Sequence, residues 1–260
     1  MAAVIAAPAS GSGKTLLSLA LLSWAQHNGR RIQPFKVGPD YLDAQLLSQA
    51  SGQACRNLDL NLCGEDWVRR AFHGYGGSSD LSLVEGVMGL FDGIGSSETG
   101  STADVARLLG LPVVLVVDAG GQAASLGALV RGFRDHDPNL VIAGVVLNKV
   151  SSPRHRELLS EVLEGMQLPL LGCLPRTEAL SLPSRHLGLA PAHELTSPTE
   201  RRQAWAALAS QHLDMARLEP LLQAPEKGPS PLANIPAVNG DPLPVALASD
   251  AAFHFRYQET

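Results

Sequence analysis

Residues 7–15, APASGSGKT, join small residues to a terminal Gly-Lys-Thr, a combination suited to holding a chain of phosphates. Ser10, Gly11, Ser12 and Gly13 are small enough for successive backbone N–H groups to wrap an anion. Lys14 can reach the outer phosphates, and the Thr15 hydroxyl can ligate Mg²⁺. One position departs from G-x-x-x-x-G-K-[ST], because Pro8 stands where the first glycine is expected. Proline lacks an N–H but fixes a turn, so the cradle survives the exchange. The competing explanation is a Gly/Ser-rich turn with a chance Lys-Thr. The context favours the phosphate loop. An apolar run, AAVIA, precedes it, and a helical pattern follows whose N-terminal dipole attracts an anion.

Further candidates follow other apolar runs. Lys36 ends one run, and FKVGPDYLDAQLL then places Asp40 and Asp43 on either side of Tyr41 in a Gly-Pro turn. Two carboxylates at this spacing either cap and open a helix or hold Mg²⁺. Glu85 closes a third run in LVEGVMGLFDG, a Walker-B-like position for helping to place Mg²⁺. Gly86 and Gly89 permit close backbone approach, and Asp92 before Gly93 is either an Asp-Gly turn or a substrate contact. Asp118 ends a fourth run, ahead of AGGQAAS. Asn148 in GVVLNKV offers a donor and an acceptor to a purine edge, or simply favours a turn. His186 in LPSRHLGL is either a ligand or a packed core histidine.

These residues need a scaffold that collects strand ends. Strands are expected at 3–6, 32–36, 81–85, 112–117, 141–147 and 170–173, with helices between them such as 14–27, 102–109, 125–134 and 153–165. Continuously apolar strands alternating with helices predict an α/β P-loop fold, a three-layer sandwich with a mostly parallel central sheet and helices on both faces. Ligands of such sheets lie at the carboxyl ends of the strands. Composition agrees, since 45% of the 260 residues are apolar, enough for a sizeable core. The net charge of −5 and the lack of a basic stripe argue against nucleic acid as a main partner. Arg201 and Arg202, the nearest approach to a basic cluster, fit a solvated helix face. Cys55, Cys63 and Cys173 lack C-x-x-C spacing, which suits a reducing compartment and provides neither a disulfide framework nor a metal site. Neither a signal peptide nor a run long enough to cross a bilayer is evident, so a cytoplasmic location is expected.

After residue 222 the composition changes. Residues 223–244 hold six prolines and read as a semi-rigid linker, and 245–260, VALASDAAFHFRYQET, open like a new strand and loop.

In order along the chain, APASGSGKT, FKVGPDYLDA, EGVMGLFDG, GSTADVARLLGLPVVLVVDA, GVVLNKV, LGCLPR and LPSRHLGL resemble the synthetase domain of the cobyrinic acid a,c-diamide synthase family. The resemblance runs from residue 3 to about 195 and resumes at VALASDAAFHF. A more distant likeness is to dethiobiotin synthetase. The resemblance implies ATP- and Mg²⁺-dependent amidation of the a and c carboxylates of a corrin through an acyl phosphate. It assigns Lys14 and Lys36 to the reacting phosphates, and Thr15, Asp43 and Glu85 to Mg²⁺. Asn148 and Pro175 would flank the adenine, while Asp40, Tyr41 and Asp92 would handle the substrate. The implied division is a synthetase domain over 1–222, the linker, and at 245–260 the start of a class I glutamine amidotransferase-like domain. None of the three cysteines matches that domain's nucleophile, so ammonia is expected from the free pool or from a separate glutaminase chain. The corrinoid is the expected partner, a homodimer the expected assembly, and no membrane is involved. A ParA- or MinD-like nucleotide switch is the contrasting class. Those proteins carry a lysine near the front of the loop, where this chain has Ala9, and they lack a counterpart of FKVGPDYLD. Other readings are a remnant that binds nucleotide or corrinoid without turnover, a cobyric acid synthase, and a nickel-sirohydrochlorin diamide synthase.

Overall fold

A strand covered on both sides needs apolar residues at every position rather than at alternate ones. β1 (Val4–Ala6), β2 (Ile32–Val37) and β4 (Leu81–Glu85) are buried throughout. β5 (Val113–Asp118), β6 (Ile142–Val150) and β7 (Leu170–Pro175) are nearly so. In the computed structural model, which describes residues 2–176, 184–185, 188–189, 191–233 and 244–257, these strands join β3 (Arg56–Leu58) in one sheet. The order is β3-β2-β4-β1-β5-β6-β7, and every neighbouring pair is parallel. His186 lies outside the described residues.

Parallel neighbours require crossovers, which the helices supply. The sheet's pleat divides the core into two faces. Ala2, Val4 and Ala6 point to the face covered by α3 (Leu60–Gly76), α4 (Thr102–Leu109), α5 (Ser125–Asp135) and α6 (Pro153–Glu164). Ala3, Ile5 and Ala7 point to the face covered by α1 (Lys14–His27), α2 (Leu42–Ser51), α7 (Pro198–His212) and α8 (Met215–Leu218). The three-layer α/β architecture expected from the sequence is therefore present.

Where the elements differ from expectation, the cause is local. β3 is a three-residue edge strand, Arg56–Asn57–Leu58, too short and too polar to show an apolar run. α3 is broken at Gly64, whose φ of 76° interrupts the helical pattern. β6 continues to Val150, so Asn148 and Lys149 sit within its end rather than after it. Pairing of Asp118 with Asn148, and of Val150 with Pro175, extends the strand. Residues 223–231, the first part of the proline-rich stretch, lie against the end of α3. There Gly228 N–H donates to the His73 carbonyl at 3.1 Å, and a side chain at Gly74 or Gly77 would collide with Pro229 or Lys227.

Candidate functional site

The carboxyl ends of β1, β4 and β2 lie side by side, with Lys36 and Glu85 as register partners and Ile5 opposite Glu85. Chemistry that leaves these three strands therefore converges on one place. α3, α4 and α6 begin with the side-chain caps Asp59, Ser101 and Ser152, but α1 has none. Its first turn is introduced by Gly13 at φ 114°, which leaves the N-terminal N–H groups free to meet an anion. Ala9, Ser10 and Gly11 are open to solvent, while Ser12 turns inward and donates to the Ala9 carbonyl at 2.9 Å.

Pro8 leaves the cradle intact. Its carbonyl is where a side chain at Gly89 would collide, so Gly89 is the residue whose smallness lets the two loops meet. Leu90 N–H then donates to the Ala7 carbonyl at 2.8 Å, fastening the loop after β4 to the end of β1. Lys14 lies buried across this seam, with its ammonium on the carbonyls of Ala9 and Met88. Burial first, and then the nearby Lys36, hold the Lys14 pKa below its ordinary value.

Beneath the loop lies a buried charge cluster. Lys36 Nζ donates to Asp43 Oδ2 at 2.6 Å, Glu85 Oε1 at 2.9 Å and the Gly86 carbonyl at 3.0 Å. Lys36 and Glu85 are 1% and 0% exposed. Burial alone would lower the Lys36 pKa, but Glu85, Asp43 and Asp40 outweigh it and hold the pKa above its usual value. Burial raises Glu85, against the opposing pull of Lys36. Asp43 would also rise on burial, yet the charge and hydrogen bond of Lys36 hold it low. The Thr15 hydroxyl donates to Glu85 Oε1 at 3.1 Å, so that oxygen accepts twice. Glu85 Oε2 is buried and has no hydrogen bond of normal geometry, although the nearby Ser18 hydroxyl favours its ionised form.

This donor set fits a divalent cation. Two carboxylates already meet one positive charge, the Lys36 ammonium, the Thr15 hydroxyl lies on one of them, and Glu85 Oε2 is buried without a hydrogen bond of normal geometry. Among the described residues no group of three or more His, Cys, Asp or Glu forms a self-sufficient metal site. Mg²⁺ takes one or two carboxylates together with substrate phosphates, and Asp43 and Glu85 are two carboxylates.

The remaining candidates fall around this centre. Asp40 Oδ1 accepts from Asp43 N–H at 3.0 Å, a cap-type bond, and burial pushes its pKa up. Asp92 Oδ2 accepts from Gly89 N–H at 2.7 Å and so closes the 89–92 turn that follows Met88. Tyr41 points away from the charge cluster and stacks with Phe255 and Tyr257. Asn148 sits on the other flank of the phosphate loop, buried, with its amide N–H on the Ser12 carbonyl at 2.9 Å. Its oxygen accepts from Lys149 N–H at 2.9 Å, and a side chain at Gly13 would strike its amide. Pro175 ends β7 opposite Val150, beside the end of β6.

Two contributors were not visible in the sequence. Asn57 donates to the carbonyls of Gly38 and Asp40 at 2.8 and 3.0 Å, pinning the Gly-Pro turn, and nothing about an asparagine in a short edge strand marks it. Met88 holds Lys14 through its backbone at φ 49°, and only the surrounding glycines of GVMG hint at an unusual turn.

A family model described as the CobQ/CobB/MinD/ParA nucleotide binding domain matches residues 3–189. Among curated proteins, a cobyrinate a,c-diamide synthase from Gloeobacter violaceus is 46% identical over 260 residues, all of this chain and 57% of that protein. A cobyrinate a,c-diamide synthase from Synechocystis sp. is 43% identical over 263 residues, covering 100% of this chain and 55% of the relative. A hydrogenobyrinate a,c-diamide synthase from Streptomyces coelicolor is 42% identical over 294 residues, covering 98% and 60%. The chain thus spans a little over half the length of the curated relatives it matches. Among the described residues, no helix is long and apolar enough to cross a membrane.

Proposed function

The chain belongs to the CobQ/CobB/MinD/ParA nucleotide-binding domain family, and from that premise we propose that it activates carboxylates with ATP for amide formation. The acceptor in this reading is cobyrinic or hydrogenobyrinic acid, amidated at its a and c carboxylates in corrinoid synthesis. The observation that carries the reading is the cluster of Lys36, Asp43, Glu85 and Thr15 beneath an uncapped α1, with Glu85 Oε2 unsatisfied. The names of the relatives support the choice of substrate.

The reaction requires an acceptor carboxylate oxygen to bond the γ-phosphorus of ATP while the bond to the bridging oxygen breaks and ADP leaves. Ammonia then attacks the acyl carbon, inorganic phosphate departs, and the nitrogen gives up a proton to leave the amide. Both anions must approach each other closely, so the chain's task is positioning and charge neutralisation. The backbone N–H groups of residues 10–15 bind the phosphates. Lys14 exchanges its two carbonyl partners for phosphate oxygens, and Lys36 offers its charge to the transferring group from below. Thr15, Asp43 and Glu85 would hold Mg²⁺, which when bound neutralises charge on the β- and γ-phosphates. Asn148 keeps one amide hydrogen and further acceptor capacity for the base beside Pro175, while Asp40, Tyr41 and Asp92 border the acceptor. Cys55 and Cys173 are buried, and burial pushes both thiols up. In this reading the nitrogen enters as ammonia, and residues 245–260 are read as the start of a glutaminase-like region.

The test is amide formation on cobyrinic acid with ATP and MgCl₂, comparing ammonium chloride with glutamine as nitrogen donor. Turnover with ammonia, lost in Lys14→Ala, supports the reading. Folded protein that binds Mg·ATP but forms no amide from either cobyrinic or hydrogenobyrinic acid sinks the assignment of acceptor. Failure to bind Mg·ATP sinks the nucleotide reading as well.

A further inference from the structure

Residues 254–257 lie over the turn that opens α2, with contacts at Pro39, Tyr41 and Gln45 on either side of Asp40 and Asp43. The Tyr41 ring is held between two aromatic rings. Phe255 stacks nearly parallel to it at 5.4 Å and 7°, and Tyr257 stacks at 4.6 Å and 26°. The Tyr257 hydroxyl donates to the Pro39 carbonyl at 3.3 Å. One turn further along, Gln45 Nε2 donates to the His254 carbonyl at 2.9 Å and meets the His254 ring at 3.0 Å. The His254 ring rests edge-on against His193 and Phe255.

Pro39, Tyr41 and Gln45 face outward to these residues, while Asp43 between them faces inward to Lys36. The same backbone thus carries an aromatic clasp on one side and a ligand of the charge cluster on the other. Gly38 at φ 77° lets the chain turn sharply out of β2, and Asn57 holds only the carbonyls of Gly38 and Asp40. Beyond Asp40, the turn is closed from within by Asp43 N–H on Asp40 Oδ1 at 3.0 Å, and the clasp holds its outward side.

We propose that Phe255 and Tyr257 are positioning residues for Asp43. By fixing the Tyr41 ring and the Pro39 carbonyl from outside, they keep the 38–43 turn where the Asp43 carboxylate can serve the cation site. The catalytic consequence rests on the nucleotide reading above, but the mechanical claim does not.

The test uses the full chain with Phe255→Ala and Tyr257→Ala combined, and Tyr257→Phe as the conservative control that keeps the ring. Amide hydrogen exchange across residues 39–46 should quicken in the double variant and much less in Tyr257→Phe, which keeps both stacks and loses only the hydrogen bond to the Pro39 carbonyl. The MgCl₂ concentration giving half-maximal ATP binding, read by calorimetry, should rise about tenfold with both stacks gone, with the melting temperature little changed. Unchanged exchange across 39–46 overturns the proposal. So does quickened exchange with an unchanged Mg²⁺ requirement, because the clasp would then order the peptide without placing Asp43. If the parent chain binds no ATP, the nucleotide reading fails, and the exchange measurement alone decides whether the clasp orders the turn.

Discussion

Two lysines form ion pairs at the carboxyl edge of the same sheet, on opposite sides of β1, one with two carboxylates and the other with a single carboxylate. On the β2–β4 side, Lys36 meets Asp43 at 2.6 Å and Glu85 at 2.9 Å, with Lys36 and Glu85 almost wholly buried. On the β5–β6 side, Lys149 meets Asp118 at 2.5 Å, with side chains 43% and 36% exposed. Distance does not separate them; burial does. An exposed pair is worth about 0–1 kcal/mol, because water competes for both partners and the side chains lose freedom. A buried pair offsets a large desolvation cost, and breaking it by removing one member costs about 3–5 kcal/mol. A charge cluster retained at that cost, with one carboxylate oxygen left over, is better suited to binding a cation than to stabilising the fold.

The largest effect expected follows from Lys36→Met. The variant leaves Glu85 and Asp43 buried without their counter-charge, so it should lose roughly 3 kcal/mol or more, seen as a fall in melting temperature of roughly 10 °C. The sign with pH is fixed by the direction of each shift. The raised Lys36 pKa contributes stability that is fully present below its unfolded value near 10.5 and is lost as pH rises through the folded value. The depressed Asp43 pKa contributes stability that is present above its unfolded value near 3.8 and is lost as pH falls through the folded value. The gap between parent and variant should therefore be wide at pH 7 and narrow as the carboxylates protonate below about pH 4. A gap unchanged down to pH 3 would mean that packing, not charge, is what Lys36 supplies.

Glu85→Gln should separate function from stability. Burial already disfavours the Glu85 charge, and Lys36 keeps Asp43 as a counter-charge in the variant, so the neutral isostere should lower the melting temperature less than Lys36→Met does at pH 7. Mg²⁺-dependent ATP binding should nevertheless fall about 100-fold, as expected when a ligand oxygen is lost. A variant that both unfolds and loses binding would place Glu85 among structural residues.

Proton release sharpens the same point. Burial holds the Glu85 carboxyl above its ordinary range, and a protonated carboxyl must ionise to ligate a cation. Mg·ATP binding followed by calorimetry in buffers of different ionisation enthalpy should release a proton fraction that grows as pH falls. Glu85→Gln should abolish the growth, and growth that persists in Glu85→Gln would assign the proton to another group.

The two sides also differ in how well they could be read from sequence. Lys14, Thr15 and Glu85 are legible because regular elements deliver them: a residue that ends an apolar strand must lie at the sheet's carboxyl edge, and strand order then decides its neighbours. Asp40 and Asp43 looked equivalent by spacing, and only the turn geometry pinned by Asn57 gives one a cap-type bond and the other Lys36. Asn148 was expected just beyond β6, but the register with β5 keeps it within the strand's end, against the phosphate loop. The clasp of Phe255 and Tyr257 on Tyr41 joins positions 41 and 257. No local pattern encodes a contact of that span.

The smallest effects belong to the exposed pair, and they test whether burial alone explains the contrast. Lys149 also occupies a left-handed backbone position, at φ 58°, where the register between β6 and β7 slips. Lys149→Ala keeps that conformational cost and loses only the contact with Asp118, so it should destabilise by at most about 1 kcal/mol. Lys149→Gly loses the same contact but relieves a backbone cost of about 1 kcal/mol, so it should come back to within a few tenths of the parent. Urea unfolding of the three proteins measures both. If Lys149→Ala instead costs as much as Lys36→Met, exposure is not what distinguishes the two sides of β1, and the β5–β6 pair would have to be counted with the buried cluster.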